Sequence, residues 1–242
     1  RTIKELVSRL PGGNRGWVID DEPAADRVHM AWRPKPELPP MVPLSDLMPS
    51  AMDADEWHRL PLGVGDDGEQ VGLDLTAGPH AIIAGPTGSG KTVGLLTLVA
   101  GALARGHRLV MIDPTKSGLD FAAIRPWATA WADDYPTARA AMERVYAEVG
   151  RRKGVLKREQ EVKWSDLPAE VRDAEGIHPL TVLIDEYGSL ALEASVPKGL
   201  EKNDPLVQES AALNAQKAVI KELGGRIARE ARFVGIHLHI AL

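Results

Sequence analysis

The sequence predicts an α/β protein: a mostly parallel β-sheet with flanking helices, preceded by a small β-rich appendage at the N-terminus. Three observations predict it. Short apolar runs alternate with helix-length segments from residue 80 onwards. The first run, His80–Ala84, leads directly into a glycine-rich loop followed by a helix. A later apolar strand, Leu180–Asp185, ends in two adjacent carboxylates, Asp185 and Glu186.

In chain order, residues 16–33 hold two alternating segments around the acidic turn Asp21–Asp26, the pattern of a β-hairpin. Prolines at 34, 36, 39, 40 and 43 then make a stiff, extended linker. Residues 1–43 are therefore expected to be an appendage, and residues 44–242 one domain whose C-terminal end is incomplete. Leu62–Leu75, with Gly65-Asp66-Asp67-Gly68 at its centre, reads as a second hairpin. Lys91–Ala104 is apolar nearly all round, as a helix buried beside a sheet would be, and Gly106 is its stop. Arg108–Asp113 is the next strand and Pro136–Arg152 a helix with a charged face. Val207–Arg232 is a long helical stretch, Ile236–Leu242 a last strand, and Glu193–Ser210 a polar connection.

Composition narrows the function classes. The 242 residues are 44% hydrophobic and 26% charged, ordinary globular values. Cysteine is absent, which excludes disulfides and thiolate metal sites and fits a reducing cytoplasm. Net charge is −5, so a globally basic footprint for nucleic acid is missing, and any such contact must come from a few local cations. No apolar run reaches the ~20 residues that span a bilayer. The chain starts at Arg1 and stops in an apolar run, the expectation for a piece of a longer protein. Segments outside it could attach the full-length protein to a membrane.

Gly85-Pro86-Thr87-Gly88-Ser89-Gly90-Lys91-Thr92 fits the phosphate-loop pattern G-x-x-x-x-G-K-[ST] in full. Glycines let successive backbone N–H groups turn toward phosphate oxygens, and the following helix offers its positive N-terminus. Lys91 would set a charge on the β and γ phosphates, and the Thr92 hydroxyl would ligate Mg²⁺. The expected ATP-binding set is Gly85, Pro86, Thr87, Gly88, Ser89, Gly90, Lys91, Thr92 and Val93. Asp185, at a strand tip, would hold Mg²⁺ with Thr92, and Glu186 would polarise the attacking water. ATP and Mg²⁺ are thus the expected ligands of an ATPase.

Other cations carry less. Arg226, Arg229 and Arg232 are spaced by three, so they share one helical face, and a solvated basic face explains that spacing best. Arg151-Arg152-Lys153 with Lys157-Arg158 reads best as a solvated helix end. Lys116 fits a surface turn or a site-lining position equally; Lys198 and Lys202 are weak DNA-loop candidates. His237 and His239 share one strand face, where packing is the default reading.

These segments together resemble the motor domain of FtsK/SpoIIIE-type DNA translocases, RecA-like P-loop ATPases of the HerA/FtsK group, over roughly residues 60–242. Pro79–Gly94 is similar to the family's phosphate loop. Arg108–Lys116 resembles its strand ending in Asp-Pro-Lys, with Thr115 inserted. Val182-Leu183-Ile184-Asp185-Glu186-Tyr187 matches its second motif, and Arg232-Phe233-Val234-Gly235-Ile236-His237-Leu238 its last element. The resemblance implies a hexameric ring, ATP sites at subunit borders, Arg232 acting in trans as an arginine finger, and double-stranded DNA through the centre. Leu242 stands where the family carries a threonine. The departures leave room for a mobile-element, conjugative variant. A type VII secretion-like ring ATPase powering protein export is the alternative.

Overall fold

A computed structural model describes residues 17–22, 27–32, 39–48, 56–65, 68–86, 88–197 and 199–242. The expected turn at 23–26, the proline linker as far as residue 38, Thr87 and Lys198 lie outside them. The chain divides into two compact units, Arg1–Pro43 with Gly63–Val71, and Leu44–Leu62 with Gly72–Leu242. In the first, β1 (Trp17–Glu22) and β2 (Arg27–Trp32) pair antiparallel, Trp17 opposite Trp32. A short helix α1 (Leu44–Leu47) follows, then the hairpin strands β3 (Arg59–Val64) and β4 (Gln70–Asp74), whose tip belongs to the first unit and whose base to the second.

The second unit is built on five parallel strands. They are β5 (Ala81–Ile83), β6 (Arg108–Ile112), β7 (Ala130–Ala132), β8 (Leu180–Ile184) and β9 (Ile236–Ala241), in the order β5-β9-β8-β6-β7. Helix α2 (Lys91–Ala104) covers one face, packing Leu95, Leu98 and Val99 against Leu109, Met111 and Leu183. Helices α3 (Tyr135–Glu159) and α6 (Pro205–Glu230) cover the other, against Val110, Ile112, Val182, Ile184 and Leu238. All five residues of β8 are buried, so its apolar run serves both faces, as a central parallel strand requires. Each such Leu, Ile or Val contributes about 1.5–3 kcal/mol of burial. Between these lie α4 (Ala169–Glu175) and α5 (Tyr187–Ala191).

Several expectations need correction. Helix α3 runs to Glu159, so Arg151, Arg152 and Lys153 lie within it, while Lys157 and Arg158 fall in its last turn, at a helix end as expected. Its start is set by Asp134, which accepts from Thr137 N at 2.7 Å in a reciprocal capping box. The polar connection after Glu193 ends earlier than residue 210, because Asp204 caps α6 and Pro205 opens it. Edge strand β7 and the 3-10 segment Leu119–Trp127 had no readable periodicity. Helix α6 stops at Glu230, and Arg232 sits in a separate 3-10 turn, Arg232–Val234. Arg232 therefore does not share a helical face with Arg226 and Arg229. The cause is Gly235, whose φ of 73° closes that turn, while its missing Cβ leaves room for Trp164; a Cβ would lie 2.5 Å from the indole Nε1.

Candidate active site

Parallel strands deliver their C-terminal ends to one edge of the sheet, where ligands of open α/β sheets bind. Four of them converge here. The phosphate loop follows β5 and enters α2 through Gly90, whose φ of 88° is left-handed, as is Gly88 at 80°. A Cβ at Gly85 would lie 2.6 Å from Ser89 Oγ, so a side chain there would displace the serine hydroxyl from its place in the loop. Lys91 and Thr92 occupy the first turn of α2, half-buried, while Val93 faces solvent. Lys91 Nζ donates to the carbonyl of Leu242, beyond β9, at 2.6 Å.

Asp185 follows β8 and is buried, 4% exposed. Burial pushes its carboxyl up from the usual range, and Asp113 adds to this while the Glu186 N–H and Lys116 oppose it. Its Oδ2 has no hydrogen-bond partner among the described residues. An orphaned buried carboxylate oxygen at a strand's C-terminal end suits a hard cation that keeps most of its waters. Asp185 thus has an open acceptor for a hard cation, and Thr92 lies in the first turn of α2. No group of three or more His, Asp or Glu among the described residues could enclose an ion.

Glu186 is the N-cap of α5 and holds φ 50°, ψ 41°, a left-handed conformation that costs a non-glycine residue about 1 kcal/mol or more. Its Oε1 meets Lys116 Nζ at 2.8 Å. Lys116 also meets Asp120 Oδ2 at 3.2 Å, and these partners, Glu186 foremost, hold its ammonium well above the usual lysine range. Lys116 is thus exposed in a surface turn, and that turn brings it against Glu186.

Asp113 anchors that lysine, a role the sequence reading missed. Wholly buried, it accepts from Thr115 N at 3.2 Å, Lys116 N at 2.9 Å and Gly118 N at 3.0 Å. The signal was present as Asp-Pro-Thr-Lys followed by Ser-Gly, an Asp placed to bond its own loop backbone.

Arg232 lies elsewhere. It precedes β9, so it stands at the N-terminal edge of the sheet, about 20 Å along the strand from the phosphate-loop edge. Its Nη2 donates to Thr76 O at 2.9 Å, beside a cleft lined by Trp57, Trp164, Phe233 and His237. Arg226 pairs with Glu222 at 2.8 Å and Arg229 is exposed. The basic cluster of α3 is mostly neutralised internally. Arg151 and Arg158 meet Glu175, Lys153 meets Glu230, and Arg152, 2% exposed, binds Glu148 and the carbonyl of Val234. Arg152 is structural rather than solvated, correcting that expectation.

Comparison with known proteins agrees with this arrangement. The FtsK/SpoIIIE family model matches residues 43–242. The DNA translocase FtsK of Haemophilus influenzae is 31% identical over 224 residues, covering 83% of this chain and 40% of that protein. The DNA translocase SftA of Bacillus subtilis is 31% identical over 188 residues, covering 74% of this chain and 17% of that protein. The chain thus spans less than half the length of these relatives. Among solved structures, the pCW3 conjugation coupling protein TcpA, in a monomer form with ATPγS, has a TM-score of 0.68 at 21% identity, covering 93% of this chain and 58% of that one. EssC (ATPases 2 and 3) from Geobacillus thermodenitrificans has a TM-score of 0.55 at 15% identity, over 85% of this chain and 36% of that one. These two likenesses are of fold. With its five-stranded parallel sheet, complete phosphate loop and matching sequence over nearly all of its larger unit, the chain belongs to the FtsK/SpoIIIE family and carries an ATPase fold of that family.

Proposed function

We propose that residues 44–242 form the motor domain of a double-stranded DNA translocase that hydrolyses ATP at the subunit borders of a ring, hexameric by family resemblance. The observation that carries this reading is the meeting of the phosphate loop, Asp185 and Glu186 at one sheet edge, with Arg232 at the opposite edge. An arginine about 20 Å from its own loop is out of reach of its own nucleotide, so any nucleotide it serves is a neighbour's. A ring also answers the acidic net charge of −5, since six copies multiply each pore cation.

In this reading the N–H groups of Gly85–Lys91, with Thr87 and Ser89 in the loop, cradle the phosphates of ATP. Lys91 exchanges its Leu242 carbonyl for a phosphate oxygen, a stronger, charge-assisted partner. Mg²⁺, held by Thr92 and Asp185, would neutralise charge on the β and γ phosphates. Glu186 orients water and takes its proton as the terminal phosphoryl group transfers, and a neighbour's Arg232 stabilises the charge that develops. Relatives named DNA translocase support DNA as the substrate. No described helix is long and apolar enough to cross a membrane.

The test is ATP hydrolysis by the purified chain with and without long double-stranded DNA, at low and moderate salt. DNA should stimulate turnover strongly, and salt should weaken the stimulation steeply through counterion release. Turnover indifferent to DNA would replace this reading with that of a protein-export motor.

A further inference from the structure

Glu186 does not stand free in the site. Lys116 Nζ sits 2.8 Å from Glu186 Oε1, the carboxylate assigned above to orient and deprotonate water. An ammonium at that distance occupies the oxygen as a hydrogen-bond acceptor, so that oxygen is not open to water. The pair is also built rather than incidental. The backbone of Lys116 is pinned by the wholly buried Asp113 carboxylate, which gathers three N–H groups of the loop. On the other side, Glu186 is held in a left-handed conformation at the head of α5. The two ends of the pair thus belong to neighbouring strands, β6 and β8, that pair in register up to Ile112 and Ile184.

The latch is breakable. Lys116 is 42% exposed and Glu186 31%, so solvent competes for both groups. Lys116 has a second carboxylate, Asp120 Oδ2, at 3.2 Å, which keeps the ammonium partnered when Glu186 leaves. A positive side chain this accessible meets phosphate oxygens readily.

From this geometry we propose that Lys116 is a latch on Glu186: its ion pair withholds the carboxylate from water, and a phosphodiester oxygen of DNA competes for the ammonium and frees the base. The inference rests on the assignment of Glu186 as the base. Lys116 is a positioning residue, acting on turnover only through Glu186. A cation serving only to stabilise the loop, or one assisting hydrolysis directly, would lower turnover when removed. A latch raises it.

The experiment measures steady-state ATP turnover of Lys116→Ala and Lys116→Gln without and with long double-stranded DNA. Melting temperature and binding of a fluorescent ATP analogue check that each variant is folded, and the Gln variant covers disturbance from truncation. DNA-free turnover should rise several-fold, and the ratio of DNA-stimulated to DNA-free turnover should shrink toward one. DNA-free turnover at or below that of the unaltered chain in both variants overturns the latch. A raised DNA-free rate with an undiminished stimulation ratio overturns DNA as the releasing partner. The double variant Lys116→Ala/Glu186→Gln should be inactive; if it keeps the raised rate, Lys116 does not act through Glu186. Glu186→Gln alone tests the underlying reading: unchanged turnover there removes the base assignment, whatever the Lys116 variants do.

Discussion

Three charged side chains given roles here have an internal partner: Lys91 a carbonyl at 2.6 Å, Glu186 an ammonium at 2.8 Å and, at the other sheet edge, Arg232 a carbonyl at 2.9 Å. Such partners position charged groups without burying them, and exchange for phosphate or water is cheap because the groups stay partly exposed. Glu186→Gln keeps the shape and removes the proton acceptor. It should leave ATP-analogue binding within about twofold and lower turnover by about 10²-fold or more; equal turnover would show another group acts as base. Lys91→Ala should instead lose nucleotide binding itself, read by the same fluorescent analogue. Arg152 is of another kind. Its guanidinium is buried and bonds the Val234 carbonyl at 2.8 Å and Glu148 at 2.8 Å. Arg152→Ala leaves a buried carbonyl and a part-buried carboxylate without their partner, a cost of about 2–4 kcal/mol. Chemical denaturation should show it, and a loss below about 1 kcal/mol would mean water replaces the guanidinium.

At the scale of elements, the loop after β6 and the turn before β9 do the positioning. The first is held by Asp113 and sets Lys116. The second depends on Gly235, left-handed and pressed against Trp164. Gly235→Ala adds both a conformational cost and an overlap with the indole, about 2–4 kcal/mol together. Because Arg232 begins that turn, the substitution should lower DNA-stimulated turnover more than nucleotide binding. A variant of unchanged stability and turnover would show that the turn does not set Arg232. Helices α3 and α6 were legible because long apolar periodicity survives any context. Strand β7 was not, since three residues, Ala130-Trp131-Ala132, carry no period, and the 3-10 segment before it contains Pro126.

Across the whole molecule the pattern of charge predicts a response to acid. His80, His107, His237 and His239 gather on the α2 face of the sheet around Trp57 and Thr181. Burial pushes all four below the ordinary histidine range, His107 to about 4 and His239 to about 3. In the unfolded chain they protonate near pH 6.5, so between about pH 6.5 and 4 the unfolded state binds more protons and stability falls as pH falls. Each histidine that stays neutral contributes up to about 1.4 kcal/mol per pH unit. Asp185, pushed up by burial, works in the opposite sense, one group against four. The melting temperature should therefore drop clearly from pH 7 to 5.5; a flat profile would mean the buried histidines gain partners on protonation. By itself the sequence determined the phosphate loop, the acid-tipped strand, the parallel sheet and the family, because glycine stereochemistry, phosphate charge and strand burial each demand particular residues at close spacing. Only the tertiary structure decided that Lys116 meets Glu186, that Arg232 stands at the far sheet edge, that Arg152 is buried and that the histidines cluster, because those facts depend on which strands become neighbours. The order β5-β9-β8-β6-β7 joins residues tens of positions apart, and no local periodicity records it.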